Sequence, residues 1–92
     1  MSSTQIGRNV AAARDIAGLS QDQLAEAMGE HGALIPRRTL GRIERGEREV
    51  RAGELAAISK ATGAPVEWLL SGPGWQPLTS DGALGGYLAL IA

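Results

Sequence analysis

Six consecutive residues from Leu19 to Leu24 fix the start of a helix more firmly than any other stretch of the sequence. Ser20 can accept a hydrogen bond from the backbone N–H of Gln23, and the Gln23 side chain can reach back to the backbone of Ser20, as in a capping box. Leu19 before the cap and Leu24 at the fourth helical position are spaced for a hydrophobic staple. We therefore predict a helix that begins at Ser20 and runs to about residue 28.

The rest of the chain is also patterned for short helices, and no segment alternates apolar and polar residues as a strand does. Glycines and prolines divide it, since glycine often ends a helix and proline often begins one. The core must rest on Leu, Ile, Val and Ala, because the 92-residue chain has no Phe. We predict an all-α, compact five-helix domain with helices at about 4–17, 20–28, 36–45, 51–62 and 65–70.

Three further apolar residues complete the predicted core. Leu34 and Ile35 follow a connection with two glycines, and both are expected to return to the core. Trp68 is expected to cover an edge of it. A domain of this size is small but can form a stable core. We assign residues 1–72 to this domain and residues 73–92 to a C-terminal tail.

The segment from Pro36 to Gly46 divides its residues between an apolar face and a basic face. Leu40 and Ile43 stand three apart and share one side of a helix. The other side carries three arginines, Arg37, Arg38 and Arg42. Gly41 costs about 1 kcal/mol relative to Ala inside a helix. It either leaves room for a backbone or a phosphate or permits a tight helix crossing, and we slightly favour the crossing.

Charge is distributed unevenly along the chain, whose formal net charge is -1. Residues 37–51 contain six arginines and three glutamates, a net charge of +3, and the remaining three basic and seven acidic side chains give −4. A basic pole on an acidic body can face a phosphate backbone while the body is repelled from it. Within that pole, we interpret Glu44, Glu47 and Glu49 as ion-pair partners of the arginines.

Composition argues against several other functions. The chain has no cysteine and a single histidine, His31, which we expect in a solvent-facing loop, so neither a metal site nor a cofactor is predicted. No apolar run approaches the roughly 18 residues of a membrane span, and no signal peptide is visible, so we expect a cytoplasmic protein without membrane contact. No nucleophile–base pair or spaced carboxylate pair indicates an enzyme, and no small-molecule ligand is evident.

Two motifs together carry a resemblance to a known family. Residues 19–26, LSQDQLAE, and residues 39–46, TLGRIERG, resemble the Cro and phage-repressor type of helix-turn-helix, also called Xre-like. The resemblance extends over about residues 4–71, and Pro65 to Leu70 is similar to the family's fifth helix. It implies a lambda-repressor-like DNA-binding fold and a sequence-specific partner, double-stranded DNA. Such proteins are commonly homodimers on palindromic operators.

The family's functional roles are carried over onto matching positions. The resemblance implies base contacts from Arg37, Arg38 and Arg42. It implies phosphate contacts from Ser20, Gln21, Thr39 and Arg45. It also implies a semi-buried ion pair between Arg14 and Glu44, which would explain an arginine beside the apolar stripe of the first helix.

The connection between the two motif helices departs from the family pattern in two ways. About five residues, Glu30 to Leu34, look inserted where the family has a short turn. Pro36 stands in place of the usual polar cap of the second helix. Both differences bear on the angle at which that helix would meet DNA.

Two functional classes stay open. The first is a transcriptional regulator, most simply a repressor, either phage-encoded or an antitoxin-like autoregulator. The second is a protein-interaction module that keeps the fold with little DNA binding. Neutral or acidic residues at positions 37, 38 and 42 would indicate the second class, but arginines occupy all three positions. We therefore favour the first.

The C-terminal tail ends in six apolar residues, Tyr87 to Ala92, which glycines and Pro77 separate from the helical domain. So short a run has too little sequence to fold alone. Three interpretations stay open: a disordered end with no role, a segment that binds the partner protomer, or an end that resembles the tags read by bacterial proteases.

Overall fold

A computed structural model describes residues 2–72, which form five α-helices and, within that range, no strand. They are α1 (Ser3–Ile16), α2 (Gln21–Glu30), α3 (Arg37–Glu44), α4 (Ala52–Thr62) and α5 (Val66–Ser71). The predicted all-α fold is confirmed, and the helix ends lie within about two residues of the predicted ones. The proposed tail, residues 73–92, lies outside the described residues.

Side-chain caps start the first two helices, and the cap of α2 is the one that the sequence predicts. The Ser2 hydroxyl oxygen accepts a hydrogen bond from the Gln5 backbone N–H at 3.1 Å. Both halves of the capping box at α2 are present, since the Gln23 N–H donates to the Ser20 hydroxyl oxygen at 3.1 Å and the Ser20 N–H donates to Gln23 Oε1 at 2.8 Å. Gly18 closes α1 with a φ of 75°, a left-handed conformation that glycine adopts without steric cost.

The second helix is longer than predicted and takes up part of the insertion before α3. It continues to Glu30 and ends in a Schellman motif. The Ala33 N–H donates to the Met28 carbonyl oxygen at 2.9 Å, and Gly32 supplies the left-handed residue with a φ of 86°. The helix is therefore two residues longer than predicted, and the inserted residues after Glu30 form a tight reversal.

Only one of the two apolar residues after this reversal enters the core. Ile35 is buried, as predicted, whereas Leu34 is 79% exposed and lies against Gly29. The prediction for Leu34 was wrong because Ile35 precedes Pro36, and a residue before proline is held in an extended conformation. Neighbouring side chains of an extended segment point to opposite sides, so Ile35 takes the inward place.

The third helix begins one residue later than predicted. Pro36 is its N-cap, with an extended ψ of 151°, and the first helical residue is Arg37. The Pro36 carbonyl oxygen accepts hydrogen bonds from the N–H groups of Thr39 and Leu40 at 3.0 and 3.1 Å. Among the described residues, no side chain caps this end of α3.

The five helices enclose one hydrophobic core. The first helix packs against α3, α4 and α5, and α2 packs against α3 and α4. Trp68 is 3% exposed, so it is a core residue and the predicted edge position was wrong. The indole supplies a large apolar volume in a chain without Phe. The buried apolar residues are Val10, Ala13, Leu24, Ala25, Met28, Ile35, Leu40, Ile43, Leu55, Ala57, Ile58, Ala64, Trp68 and Leu69.

A glycine lets the backbones of α1 and α3 come into contact. A Cβ atom at Gly7 would fall on the carbonyl oxygen of Ile43 and lie 3.0 Å from that of Glu44. The sequence favoured a tight crossing at Gly41, but the crossing lies at Gly7. Only a residue without a side chain fits there, so Gly7 sets how closely α1 approaches the C-terminal end of α3.

One buried polar side chain ties α5 to α1. Asn9 is 2% exposed, and its Nδ2 donates to the Leu69 carbonyl oxygen at 2.8 Å. Its Oδ1 accepts a hydrogen bond from Gln5 Nε2 at 3.0 Å. A buried amide is costly unless it is hydrogen-bonded. The bond from Gln5 orients the Asn9 side chain within α1, and the bond to Leu69 favours a single position for α5.

Candidate nucleic-acid interface

An open groove lies between the N-terminal end of α2 and the outer side of α3. It is lined by Gln21, Arg37, Arg38, Gly41 and Arg45. A Cβ atom at Gly41 would lie 3.2 Å from Arg45 Nη1 and 3.7 Å from Gln21 Nε2. Because Gly41 has no side chain, the ends of the Arg45 and Gln21 side chains can both lie close to its backbone. Gly41 is a groove residue, and the preferred interpretation of it as a helix crossing was wrong.

The three arginines predicted to contact bases are all exposed on α3. Arg37 and Arg38 line the groove, and Arg42 stands on the same helix outside the groove lining. Arg37 Nε lies 3.8 Å from the Asp22 carboxylate, and the two side chains are 63% and 77% exposed. An exposed pair at that distance is weak, so it leaves the Arg37 guanidinium available to another acceptor.

A single carboxylate joins the first three helices behind the groove. Glu44 Oε2 accepts a hydrogen bond from Arg14 Nε at 2.7 Å, and its Oε1 accepts from Arg14 Nη2 at 3.2 Å and from Gln21 Nε2 at 3.0 Å. The Arg14 and Glu44 side chains are 17% and 7% exposed. The hydrogen bond to Glu44 raises the pKa of Arg14. Gln21 is thus held from behind while it lines the groove.

The two hydroxyl residues predicted to contact phosphate lie outside the groove lining. Ser20 is exposed, and its hydroxyl oxygen serves as the cap of α2. Thr39 is half-buried in the first turn of α3.

At the C-terminal end of α3, Arg45 forms an exposed ion pair. Its Nε donates to Glu47 Oε2 at 3.0 Å, and its Nη2 donates to Glu47 Oε1 at 3.4 Å. The two side chains are 59% and 53% exposed. The hydrogen bond from Arg45 lowers the pKa of Glu47.

Another ion pair stands behind the loop between α3 and α4, and the sequence did not predict it. Arg48 Nη1 and Nη2 donate to Glu54 Oε1 and Oε2 at 2.8 and 3.0 Å, and the Arg51 N–H donates to Glu54 Oε1 at 2.9 Å. The available signal was an acid in the first turn of a predicted helix, three residues after its cap, with arginines just upstream. Glu49 has no ion pair in the part of the chain that the structure describes, so that assignment was wrong.

Other kinds of site find no support in residues 2–72. No group of three or more His, Cys, Asp or Glu side chains in that range could hold a metal ion. His31 is exposed at the C-cap of α2, as predicted. Over the same residues, every helix is too short or too polar to cross a membrane.

Comparison with known proteins points in the same direction as this geometry. The helix-turn-helix family model matches residues 10–69, which include all of α2 and α3. "Control protein C.SmaI" of Serratia marcescens is 39% identical over 69 residues, which are 75% of this chain and 76% of that protein.

Proposed function

This chain belongs to the helix-turn-helix family of DNA-binding transcriptional regulators, and we propose that it is a repressor, or a similar regulator, that binds a palindromic operator as a dimer. The observation that carries the proposal is the groove in which three arginines and Gln21 surround Gly41. Exposed guanidinium groups on a helix suit both base edges and phosphates. The Serratia marcescens relative is named a control protein, which accords with a regulatory role.

We assign the reading of bases to the outer side of α3. In helix-turn-helix proteins, the N-terminal residues of the second helix contact base edges in the major groove. Arginine pairs best with O6 and N7 of guanine, and each good pair gives about 1–3 kcal/mol of discrimination. Each half-site should therefore contain G·C pairs. The assigned residues are Arg37, Arg38 and Arg42.

We assign phosphate contacts to two residues that line the groove and to two that lie outside its lining. Such contacts set the register of the protein on the duplex and carry little sequence information. Loss of a cationic phosphate contact should weaken all duplexes about equally and reduce the salt slope by about 1. The assigned residues are Ser20, Gln21, Thr39 and Arg45.

Two copies of the chain are needed to explain a specific complex. The third helix has only 8 residues, so one recognition helix offers a small interface with DNA. Two half-sites about one helical turn apart, roughly 34 Å, would double it. The dimer can form on the operator even where the free protein is monomeric. Sedimentation of the minimal complex should therefore give two chains per duplex, and one chain per duplex would refute the dimer.

Selection of binders from a random duplex library tests the proposal directly, at a fixed and stated salt concentration because affinity depends steeply on salt. We expect an enriched, palindromic site with G·C pairs in each half. If no duplex is enriched, the DNA-binding proposal fails and the protein-interaction alternative gains. An enriched site without symmetry would contradict the dimer alone.

One pair of variants separates base reading from general attraction. Arg38→Ala removes a charge from the groove, and Lys60→Ala removes one from the exposed last turn of α4. We expect Arg38→Ala to relax the preference at one base pair per half-site and Lys60→Ala to preserve it. Unchanged preference and affinity in Arg38→Ala would show that the base contacts are assigned wrongly.

A further inference from the structure

The loop after α3 contains two acidic residues next to the proposed interface, and only one of them holds an arginine. Glu47 accepts hydrogen bonds from Arg45 Nε and Nη2 at 3.0 and 3.4 Å. Glu49, two residues further on, is exposed and has no ion pair among the described residues. Acidic side chains repel the phosphates of DNA, so Glu47 needs an explanation beyond general electrostatics.

The geometry of the Arg45 guanidinium provides one. Its five N–H donors form a planar fork, and Glu47 occupies the side formed by Nε and Nη2. The Nη1 end is directed instead toward Gly41 and Gln21, since a Cβ atom at Gly41 would lie 3.2 Å from Nη1 and 3.7 Å from Gln21 Nε2. A phosphate can therefore meet the Nη1 end without displacing the carboxylate.

We propose that Glu47 is a positioning residue, which holds Arg45 so that its free end and Gln21 face the groove as one phosphate-binding site. The inference rests on the proposed DNA binding and names a residue that acts through Arg45. Arginine has many rotamers, and fixing a long side chain on binding weakens affinity. An arginine that is already held loses less of this freedom, so DNA binding gains.

The expected size of this effect can be bounded. Ordering one rotamer-rich side chain at an interface changes affinity by roughly two- to tenfold. Folding stability should hardly respond, because exposed ion pairs contribute little to it and both side chains are more than half exposed. Binding should therefore change at a constant melting temperature.

Two variants with equal charge provide the test. Glu47→Gln and Glu49→Gln each remove one negative charge from the same loop, so any general gain in attraction to DNA is shared. We expect Glu49→Gln to bind the selected operator more tightly than the unmodified protein. Glu47→Gln should bind roughly two- to tenfold more weakly than Glu49→Gln. Fluorescence anisotropy at several salt concentrations measures both, and thermal melts should give equal midpoints.

Repeating the comparison with Arg45→Ala isolates the mechanism. Without Arg45, the two glutamine variants should bind equally well, because Glu47 then has no arginine to position. A difference that persists would overturn the proposal, and so would equal or tighter binding by Glu47→Gln when Arg45 is present. Both results leave DNA binding intact, whereas failure of the unmodified protein to bind any duplex would refute the proposed function.

Discussion

An ion pair lies on each side of α3, and the two pairs differ in their exposure to solvent. On the inner side, the Glu44 carboxylate holds Arg14, and the two side chains are 7% and 17% exposed. On the outer side, Arg45 holds Glu47, and those side chains are 59% and 53% exposed. Glu44 and Arg45 are neighbours in the chain. One peptide bond therefore separates a largely buried ion pair from an exposed one.

Access to water decides what each pair contributes. A buried charge that loses its partner remains without solvent, and the fold becomes less stable. An exposed charge that loses its partner is hydrated, so stability changes little. We therefore expect the inner pair to fix the position of α3 and the outer pair to affect mainly its contacts with DNA. Folding stability and DNA binding should respond to different substitutions.

Removing the inner carboxylate is expected to have the largest effect. Glu44→Ala leaves the Arg14 guanidinium without its partner at 17% exposure, and loss of one member of a buried pair typically costs about 3–5 kcal/mol. Glu47→Ala and Glu49→Ala remove equal charges from exposed positions and should change stability little. Urea unfolding of the three variants measures the difference. Equal midpoints would mean that the inner pair does not hold α3.

The close approach at Gly7 should be nearly as sensitive. The added methyl group of Gly7→Ala would collide with the Ile43 carbonyl oxygen. Overpacking typically costs about 1–3 kcal/mol, and a collision with backbone belongs at the upper end because backbone has no rotamer to change. Each 1 kcal/mol lowers the melting temperature of a domain this size by roughly 4–8 °C.

Gly53→Ala is the matched control for Gly7→Ala. Nothing lies within 4 Å of the Cβ position at Gly53 on α4. The control should melt at or above the temperature of the unmodified protein, since alanine favours the helix. If Gly7→Ala melted at as high a temperature as Gly53→Ala, the backbones of α1 and α3 would not be in close contact at Gly7.

A third ion pair tests whether exposure decides the outcome generally. The Arg48 and Glu54 side chains are 21% and 9% exposed, so this pair should behave like the inner one. The hydrogen bonds from Arg48 lower the pKa of Glu54 below its ordinary value of 4.5. Because the folded-state pKa is lowered, the stabilisation is complete above about pH 4.5 and is lost as the pH falls through the folded-state value.

Glu54→Gln should therefore destabilise the protein at neutral pH and much less in acid. Hydrogen bonds to a charged group contribute about 1.5–3 kcal/mol, and that is the expected loss at pH 7. Glu67→Gln, at an exposed acid in the first turn of α5, is the control. Urea unfolding across pH measures both variants. A Glu54→Gln deficit of the same size at about pH 3 would rule out the charged pair as its source.

Local structure could be predicted from the sequence, whereas contacts between distant helices could not. Helix starts, helix ends and the exposed arginines of α3 follow from neighbouring residues, and the structure has them within about two residues of the predicted positions. The pairing of Arg14 with Glu44, 30 residues apart, came only from resemblance to a family. Local spacing holds no information about which side chain a distant helix will present.

The missed and incorrect predictions concern residues whose contacts depend on how the helices and turns pack together. Gly7 contacts another backbone, and Asn9 bonds to a carbonyl group 60 residues away, so neither shows a local signature. Leu34 and Trp68 were misplaced because their burial depends on the turn before α3 and on the space left between helices. For the same reason, the sequence left two interpretations of Gly41, space for a backbone or a phosphate and a tight helix crossing.

A substitution at Gly41 should change stability the least, and it tests most directly whether the two sides of α3 have separate roles. Gly41→Ala replaces a glycine inside a helix, which should stabilise the protein by up to about 1 kcal/mol. The added methyl group meets only side-chain ends, Nη1 of Arg45 at 3.2 Å and Nε2 of Gln21 at 3.7 Å, and these can move. The same movement narrows the groove and shifts two proposed phosphate contacts. We therefore expect a higher melting temperature together with weaker DNA binding.

Gly53→Ala again provides the comparison, since it also adds a methyl group to a helix but lies outside the groove. Both variants should melt at or above the temperature of the unmodified protein, and only Gly41→Ala should lose affinity for the selected operator. A loss of affinity of similar size for unrelated duplexes would place the defect at phosphates rather than at bases. If Gly41→Ala lost stability as well as binding, Gly41 would belong to the inner side, and the division of α3 into a structural and a recognition face would fail at its centre.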